Sequence, residues 1–241
     1  MFTASGTFYD ELYASRDYAG EARAIVEVIG KHRRRPVDSL LDVGCGTGKH
    51  LAELANFYRC EGVDLDPRLL KFARAKVPAA RFTEADMCKL RLNRRFDSIT
   101  CLFGTIAYAR TFERMVQAFT HFATHLRAGG LLVVQPWYRS AERCPSLQVR
   151  HVDLAHVKIA RMSHTLIDGT EALVNVNYLV GTATGVEHVE EIHELGIFSH
   201  DEHLDALHEA GFEATMAIDA LGPGVDLYVG NQMQAAPDST E

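Results

Sequence analysis

The 241-residue chain lacks any run of about 18 apolar residues, so no membrane-spanning helix is expected. It lacks a CxxC pair. Its five cysteines, Cys45, Cys60, Cys88, Cys101 and Cys144, are odd in number and irregularly spaced. That speaks against a zinc site or a disulfide framework. It lacks a basic excess: 25 Lys and Arg stand against 32 Asp and Glu, a net charge of −7. Such a balance is a poor basis for binding nucleic acid or an anionic membrane. Low-complexity tracts and internal repeats are missing, which removes solenoids and repeat arrays. The opening Met1–Gly6 lacks the basic flank and apolar stretch of a secretory leader. Scattered thiols then fit a reducing cytoplasm as the expected compartment.

What is present is ordinary globular material. Hydrophobic residues make up 47% and charged residues 24%, which excludes wholesale disorder. Through residue 135 strand-like and helix-like segments alternate. Ala22, Ile25, Val26 and Ile29 share one face of a helix that stops at Pro36. Residues 39–43, 59–64, 80–83, 97–103 and 131–134 read as short buried strands. A helix over 49–57, one opened by Pro67 and one over 112–126 lie between them. Gly129-Gly130 reads as the connection before the fifth strand. This alternation predicts a doubly wound, Rossmann-like parallel sheet.

After residue 148 the pattern changes. Residues 149–198 carry long β-type runs, with turn signals at Asp168-Gly169 and Thr184-Gly185. They predict an inserted antiparallel meander of three long strands. A helix over 200–210 follows, with Ser199 and Glu202 in capping-box spacing and Gly211 at its end. Two short strands near 212–218 and 226–229 complete the core. The expected division is therefore 1–36 as N-terminal lid and helix, 37–148 with 199–230 as core, 149–198 as inserted sheet, and 231–241 as a flexible tail.

Three features carry chemistry. The first is Leu41-Asp42-Val43-Gly44-Cys45-Gly46-Thr47-Gly48, a strand running into glycines spaced two apart. Glycines let the backbone turn sharply and approach a ligand closely. Their spacing is not the GxGxxG of nicotinamide binders, which seats a pyrophosphate. The second is Asp64, twenty residues past Gly44, where a carboxylate can accept from both ribose hydroxyls. The third is Asp86-Met87, an acceptor for an exocyclic amino group beside an apolar cover for adenine. All three fall at carboxyl ends of successive strands and predict an adenosine site at a topological switch point.

The segments VDSLLDVGCGTG, CEGVDLD, TEADM, FDSITCLF and LRAGGLLVVQPW resemble those of class I S-adenosylmethionine-dependent methyltransferases. The resemblance implies S-adenosyl-L-methionine as cofactor. The loop of Gly44, Gly46 and Gly48, with Asp42 before it, would meet its methionine part. Asp64 would hold the ribose, and Asp86 and Met87 the adenine. Leu102 and Phe103 would line the methionine and the transferred methyl. A narrower resemblance rests on Phe8-Tyr9-Asp10-Glu11-Leu12-Tyr13 continued by Arg16–Ala22, on Gln135-Pro136-Trp137-Tyr138, and on Ala160-Arg161-Met162-Ser163-His164. These are similar to segments of the aminosugar N,N-dimethyltransferases of antibiotic biosynthesis, which methylate the amine of a nucleotide-linked deoxysugar. Gln135 stands where that group has an acid, and Gly104-Thr105 where it has paired serines.

Methyl transfer from a sulfonium is an in-line displacement, so alignment is the main demand on the protein. An amine nucleophile must also lose a proton. Tyr9, Tyr13 and Tyr18 are candidates for a lid over the donor, or else pack the first helix on the sheet. Tyr18 is placed with the cofactor, Tyr9 with the acceptor and Tyr13 among the catalytic candidates. Tyr108 and Trp137 follow strands four and five on the acceptor side. His164 is a catalytic candidate by resemblance alone. Arg161 would meet a substrate diphosphate, or pair with a carboxylate across the sheet. His200, His203 and His208 share a short helix without a third ligand, so no metal is expected and they read as solvated. Glu190, Glu191, His193 and Glu194 read mostly as the polar edge of a strand, although one side could face the pocket. The expected partner is a small-molecule acceptor, with the inserted sheet walling its pocket or forming a homodimer face. The alternatives are a small-molecule O-methyltransferase and a non-catalytic S-adenosylmethionine-binding protein.

Overall fold

The computed structural model describes residues 5–233. Most of the expected tail, residues 234–241, lies outside the described residues. Its start is corrected, because Asn231 and Gln232 belong to the last strand.

A seven-stranded sheet forms the centre, in the order β10-β11-β5-β4-β1-β2-β3. Its strands are β1 (Ser39–Val43), β2 (Arg59–Asp64), β3 (Arg81–Glu84), β4 (Phe96–Cys101), β5 (Leu126–Val134), β10 (Phe212–Ala217) and β11 (Leu227–Gln232). The first five are parallel, while β11 pairs antiparallel with both β5 and β10. From β1 the chain builds β2 and β3 on one side, then returns to place β4 and β5 on the other. The crevice above the carboxyl ends of β1 and β4 is therefore the switch point.

Local chemistry starts the helices. The Asp17 carboxylate accepts from the Gly20 N–H at 2.8 Å and opens α2 (Tyr18–His32), after the short α1 (Tyr9–Leu12). α3 (Lys49–Leu54) follows the glycine loop. Asp66 accepts from the Arg68 N–H ahead of α4 (Pro67–Lys76), with Pro67 in the first turn. α5 (Phe112–His125) buries Met115, Ala118, Phe119 and Phe122 against the sheet. Each large side chain so buried contributes about 1.5–3 kcal/mol. Both bonds of the expected capping box form at α6 (His200–Glu209).

A second sheet, of four antiparallel strands, follows β5 in the order β6-β7-β8-β9. The expected meander had three long strands. β7 (Lys158–Asp168), β8 (Glu171–Thr182) and β9 (Gly185–Gly196) supply them, and a shorter β6 (Leu147–Asp153) adds a fourth. β6 was hidden because its side chains are mostly exposed and show no apolar alternation. The inner face of this sheet, with Val174, Val176 and Tyr178, packs on Phe8 and Leu12 of the N-terminal segment and on Ala107.

Two boundaries differ from expectation. β5 begins at Leu126, directly after α5, and runs through Gly129 and Gly130 with a register shift between Phe96 and Ser98 of β4. Gly129, at φ 70°, bends the strand as a bulge does and does not end it. β4 stops at Cys101, because Phe103 takes a left-handed φ of 55°. No helix of the described residues is long and apolar enough to cross a membrane.

At the amino end of β4, away from the crevice, Asp97 ties three segments together. Its carboxylate accepts from the Asp38 and Ser39 N–H groups, the Ser39 hydroxyl and the Arg127 guanidinium. Burial raises its pKa, yet these donors win and hold it at about 2.

Candidate active site

The glycine loop leaves β1 at the switch point. The Gly44 and Cys45 N–H groups both donate to the Val63 carbonyl, at 2.7 and 3.0 Å, which pins the turn to β2. Gly44 lies at φ 73° and Gly46 at φ 54°, conformations that cost an L side chain about 1–2 kcal/mol. A Cβ on Gly44 would overlap the Thr105 side chain, 2.6 Å from Oγ1 and closer still to Cγ2. A Cβ on Gly46 would meet nothing within 4 Å. It would stand in the cavity that Gly46 lines, so this glycine keeps backbone open to a ligand.

That cavity has a volume of about 590 Å³ and opens over β1, β2 and β4. Its size suits a small-molecule cofactor together with the reacting end of a second ligand. Asp64 lines it. The Asp64 carboxylate accepts from the Gly46 N–H at 2.8 Å and the Asp66 N–H at 2.9 Å. Burial raises its pKa, against those bonds. A carboxylate offers about four lone-pair sites, so acceptor capacity remains for a diol. Asp42 also lines the cavity; it is buried, accepts from the Thr100 hydroxyl at 2.8 Å, and burial pushes its pKa to about 6. Asp86 caps the short turn Met87–Lys89 through the Cys88 N–H, and Arg114 lies 3.8 Å from its other oxygen. It thus serves as the local cap that loop acids commonly are, while still lining the cavity beside Met87.

Leu102 and Phe103 form the floor where β4 ends. The strained Phe103 N–H donates to Gln135 Oε1 at 2.8 Å. An amide oxygen does here what a carboxylate oxygen would do, so the missing acid leaves this turn held. Gly104 follows at φ 75°, where a Cβ would press on Trp137 at 3.1 Å.

The N-terminal segment covers the opening. Asp10 accepts from the Thr47 hydroxyl and from Lys76, each at 2.6 Å, latching α1 to the glycine loop. Tyr9 and Tyr18 line the cavity. Tyr13 is not among the lining residues; its ring packs between Tyr9 and Phe103, 4.7 and 5.3 Å between centroids. The Arg16 guanidinium sits 4.2 Å from the Phe103 ring and hydrogen-bonds Glu21. Glu21 also accepts from His50 at 2.7 Å, and His50 lines the cavity. Glu21 and His50 carried no sequence signal beyond lying on helices that flank the glycine loop.

On the far wall stands Tyr108, whose hydroxyl lies 2.9 Å from His193 Nδ1. His193 and Glu191 are corrections: they are 3% and 4% exposed, not a polar edge. The period-2 alternation of β9 puts them on the inner face with Val189 and Leu195, against the face of β8 that carries Val174, Val176 and Tyr178. By the same alternation His164 falls on the exposed outer face of β7 and does not line the cavity, although Ile192, two strands away in the same cross-strand row, does. Arg161 falls on the inner face, next to Tyr178, and does not line the cavity. Trp137 packs on Tyr138 and the turn at Gly104. His203 is also corrected: it is 1% exposed and stacks on Tyr228 at 4.6 Å. Among the described residues no group of three His, Cys, Asp or Glu is placed to hold a metal. All five cysteines are free and buried.

Residues 40–130 match a family model described as a methyltransferase domain. The chain is 33% identical to a dTDP-3-amino-3,4,6-trideoxy-alpha-D-glucopyranose N,N-dimethyltransferase of Streptomyces venezuelae, over 92% of this chain and 95% of that protein. It superposes on a sugar N-methyltransferase from a Streptoalloteichus species with a TM-score of 0.85 at 33% identity, covering 92% and 90% of the two chains. An amino pentose methyltransferase of Micromonospora echinaspora, solved with S-adenosylmethionine bound, gives 0.80 at 31% identity, with 90% and 92% covered.

Proposed function

Since the chain belongs to the class I S-adenosylmethionine-dependent methyltransferases, in the group of the sugar N-methyltransferases, we propose that it methylates the amine of a nucleotide-linked aminosugar in natural-product biosynthesis. The observation that carries this is one continuous cavity. At one end lie Asp64, Asp86 and the open backbone of Gly46; at the other lie Tyr9 and Tyr108, beside the inserted sheet.

The cavity fits the cofactor. Gly46 leaves the space that a Cβ would fill, and the Asp64 carboxylate, destabilised by burial, gains from two hydroxyl donors. Asp42, Gly44, Gly46 and Tyr18 would surround the methionine part, with Gly48, outside the lining and packed on Ala73, turning the loop into α3. Asp64 would hold the ribose, and Asp86, Met87 and Leu102 the adenine and methyl. When bound, the cofactor supplies an activated methyl on a sulfonium. The chain's own contribution is alignment and exclusion of water. Tyr9, Tyr13 and Phe103 form an aromatic wall that keeps water from the reacting nitrogen. Tyr108 presents an oxygen to the amine. Trp137 and Tyr9 bound the acceptor, and with Arg161 half-buried beside Tyr178 and outside the cavity lining a diphosphate would meet other cations, Lys49 and Arg110 of the lining among them.

The same reading divides the chain into an N-terminal lid, a cofactor-binding core and an inserted sheet, and places it in the cytoplasm, where five buried thiols stay reduced. It also includes a homodimer. The outer face of the inserted sheet exposes Val149, Met162, Leu166 and Leu179 at 52–69%, apolar side chains that a second copy would cover. Light scattering should then give twice the chain mass, and Met162→Glu should shift it toward one; a wild-type monomer at every concentration would remove the dimer.

Incubation with methyl-labelled donor and a panel of dTDP-linked 3-amino and 4-amino deoxysugars tests the function. Label is expected on an amine-bearing nucleotide sugar and not on the matching hydroxyl sugar. Transfer to hydroxyl acceptors alone would move the enzyme to the O-methyltransferases.

A further inference from the structure

The inner face of the inserted sheet holds a buried polar chain that ends in the cavity. Ser5 donates to both oxygens of Glu191, from N–H and Oγ, each at 2.8 Å. The Glu191 Oε2 lies 3.7 Å from His193 Nε2 and 3.5 Å from the Tyr178 hydroxyl. His193 Nδ1 lies 2.9 Å from the Tyr108 hydroxyl. Tyr108 reaches the cavity; neither His193 nor Glu191 does. Four polar groups are thus gathered behind one pocket-lining hydroxyl, in an otherwise apolar cluster of Val174, Val176 and Ile159. Burying such groups costs free energy unless each is satisfied. Packing alone would have been met by apolar residues, as at Ile159, Val174 and Val176.

We propose that Tyr108, His193 and Glu191 form a proton relay that removes the proton from the acceptor amine at each methylation. This rests on the amine-methylating reading above. An amine arrives largely protonated, and only its free lone pair can attack. When a neutral amine takes a methyl, one carbon–sulfur bond breaks and one carbon–nitrogen bond forms, and the nitrogen is left with one proton too many. A second methyl on the same nitrogen needs that proton gone. In the relay the nitrogen gives its proton to Tyr108 Oη, while the Tyr108 proton passes to His193 Nδ1. The resulting imidazolium faces the Glu191 carboxylate, and once the product has left the proton returns through the Tyr108 hydroxyl to water entering the pocket. One proton is exported per methyl, and no other co-reactant is needed.

The surroundings favour this direction. Burial lowers the pKa of His193, so the ring is neutral and ready to accept near pH 7. Burial also raises the pKa of Tyr108, with Glu191, Tyr13, Asp64 and Tyr178 adding to it, so a lasting phenolate is disfavoured and the hydroxyl acts as a conduit. Tyr9 faces Tyr108 from α1. Arg161 on β7 opposes a charge on His193, and Glu191 favours it. Glu191 is the single acid among these inner-face groups, so it decides whether the imidazolium is tolerated. His193 and Glu191 are positioning and proton-accepting residues behind the one that touches substrate.

The test uses the full-length enzyme, labelled donor and a dTDP-linked 3-amino-deoxysugar. His193→Leu removes the acceptor, while His193→Gln keeps an oxygen for the Tyr108 hydroxyl but cannot take a proton. Both should lower kcat by about 10²-fold at neutral pH, with KM and donor affinity near wild type, and the deficit should shrink as pH rises and hydroxide takes over. Wild-type kcat in either variant overturns the relay. If those variants fail to fold, nitrogen-15 NMR of the wild-type imidazoles decides. His193 with an unprotonated Nδ1, shifted by Tyr108→Phe, supports the relay; a proton on Nδ1 overturns it. A wild-type enzyme that methylates no amine overturns the relay together with the function it rests on, whereas normal wild-type turnover with unaffected variants overturns the relay alone.

Discussion

Asp64→Ala should weaken S-adenosylmethionine binding by about 2–4 kcal/mol, taking hydrogen bonds to a charged group at about 1.5–3 kcal/mol each. That is roughly 30- to 1,000-fold in affinity. Two losses combine. The ribose loses its acceptor, and Gly46 loses the carboxylate that holds its N–H at 2.8 Å, so the loop that seats the methionine part is freed as well. Asp64→Asn should fall in between, because it keeps an acceptor oxygen but not the charge. Calorimetry on the three proteins is the check. Unchanged affinity in Asp64→Ala would remove the ribose assignment and with it the orientation of the cofactor in the cavity.

Gly44 and Gly46 of the loop should separate folding from binding. Gly44→Ala places a Cβ on the Thr105 side chain at a left-handed φ of 73°, so strain and overlap add. A loss of about 2–4 kcal/mol is expected, which for a chain of this size lowers Tm by roughly 5–15 °C. Gly46→Ala meets no protein atom within 4 Å. Its cost to the fold is the conformational penalty of about 1–2 kcal/mol, yet its methyl stands where the ligand must lie. Cofactor affinity should drop at least tenfold with only a small change in Tm. Differential scanning fluorimetry with and without cofactor reads both. If Gly46→Ala binds as wild type does, the loop does not face the ligand.

The core was legible because its signals are local. A glycine run after Val43, Asp64 at the end of β2, Pro67 in the first turn of α4 and the unbroken 3–4 spacing of α5 each follow from a few neighbouring residues. Period alone misled at β5, where two glycines look like a loop but form a bulge within a strand. The inserted sheet was legible in its strands and not in its faces. His164 and Arg161 are three residues apart on β7, and alternation sends them to opposite sides. Which side is buried depends on Phe8, Leu12 and Ala107, distant in sequence. For the same reason Glu191 and His193 read as edge residues, and His203 as solvated, although Tyr228 stacks on it. Polar residues on a face that packs against a far segment give no local sign of burial, so the acceptor side stayed obscure while the cofactor side did not.

Locating the transferred methyl tests the central claim most directly. The enzyme is incubated with S-adenosylmethionine carrying a carbon-13 methyl and with a dTDP-linked amino-deoxysugar, and the product is examined by NMR. The labelled methyl should show a scalar coupling path to the amine-bearing ring carbon, placing it on nitrogen, and should accumulate far more slowly in the Asp64→Ala and Tyr108→Phe proteins. A methyl coupled instead to a hydroxyl-bearing carbon, or no labelled product from any aminosugar nucleotide, would contradict it.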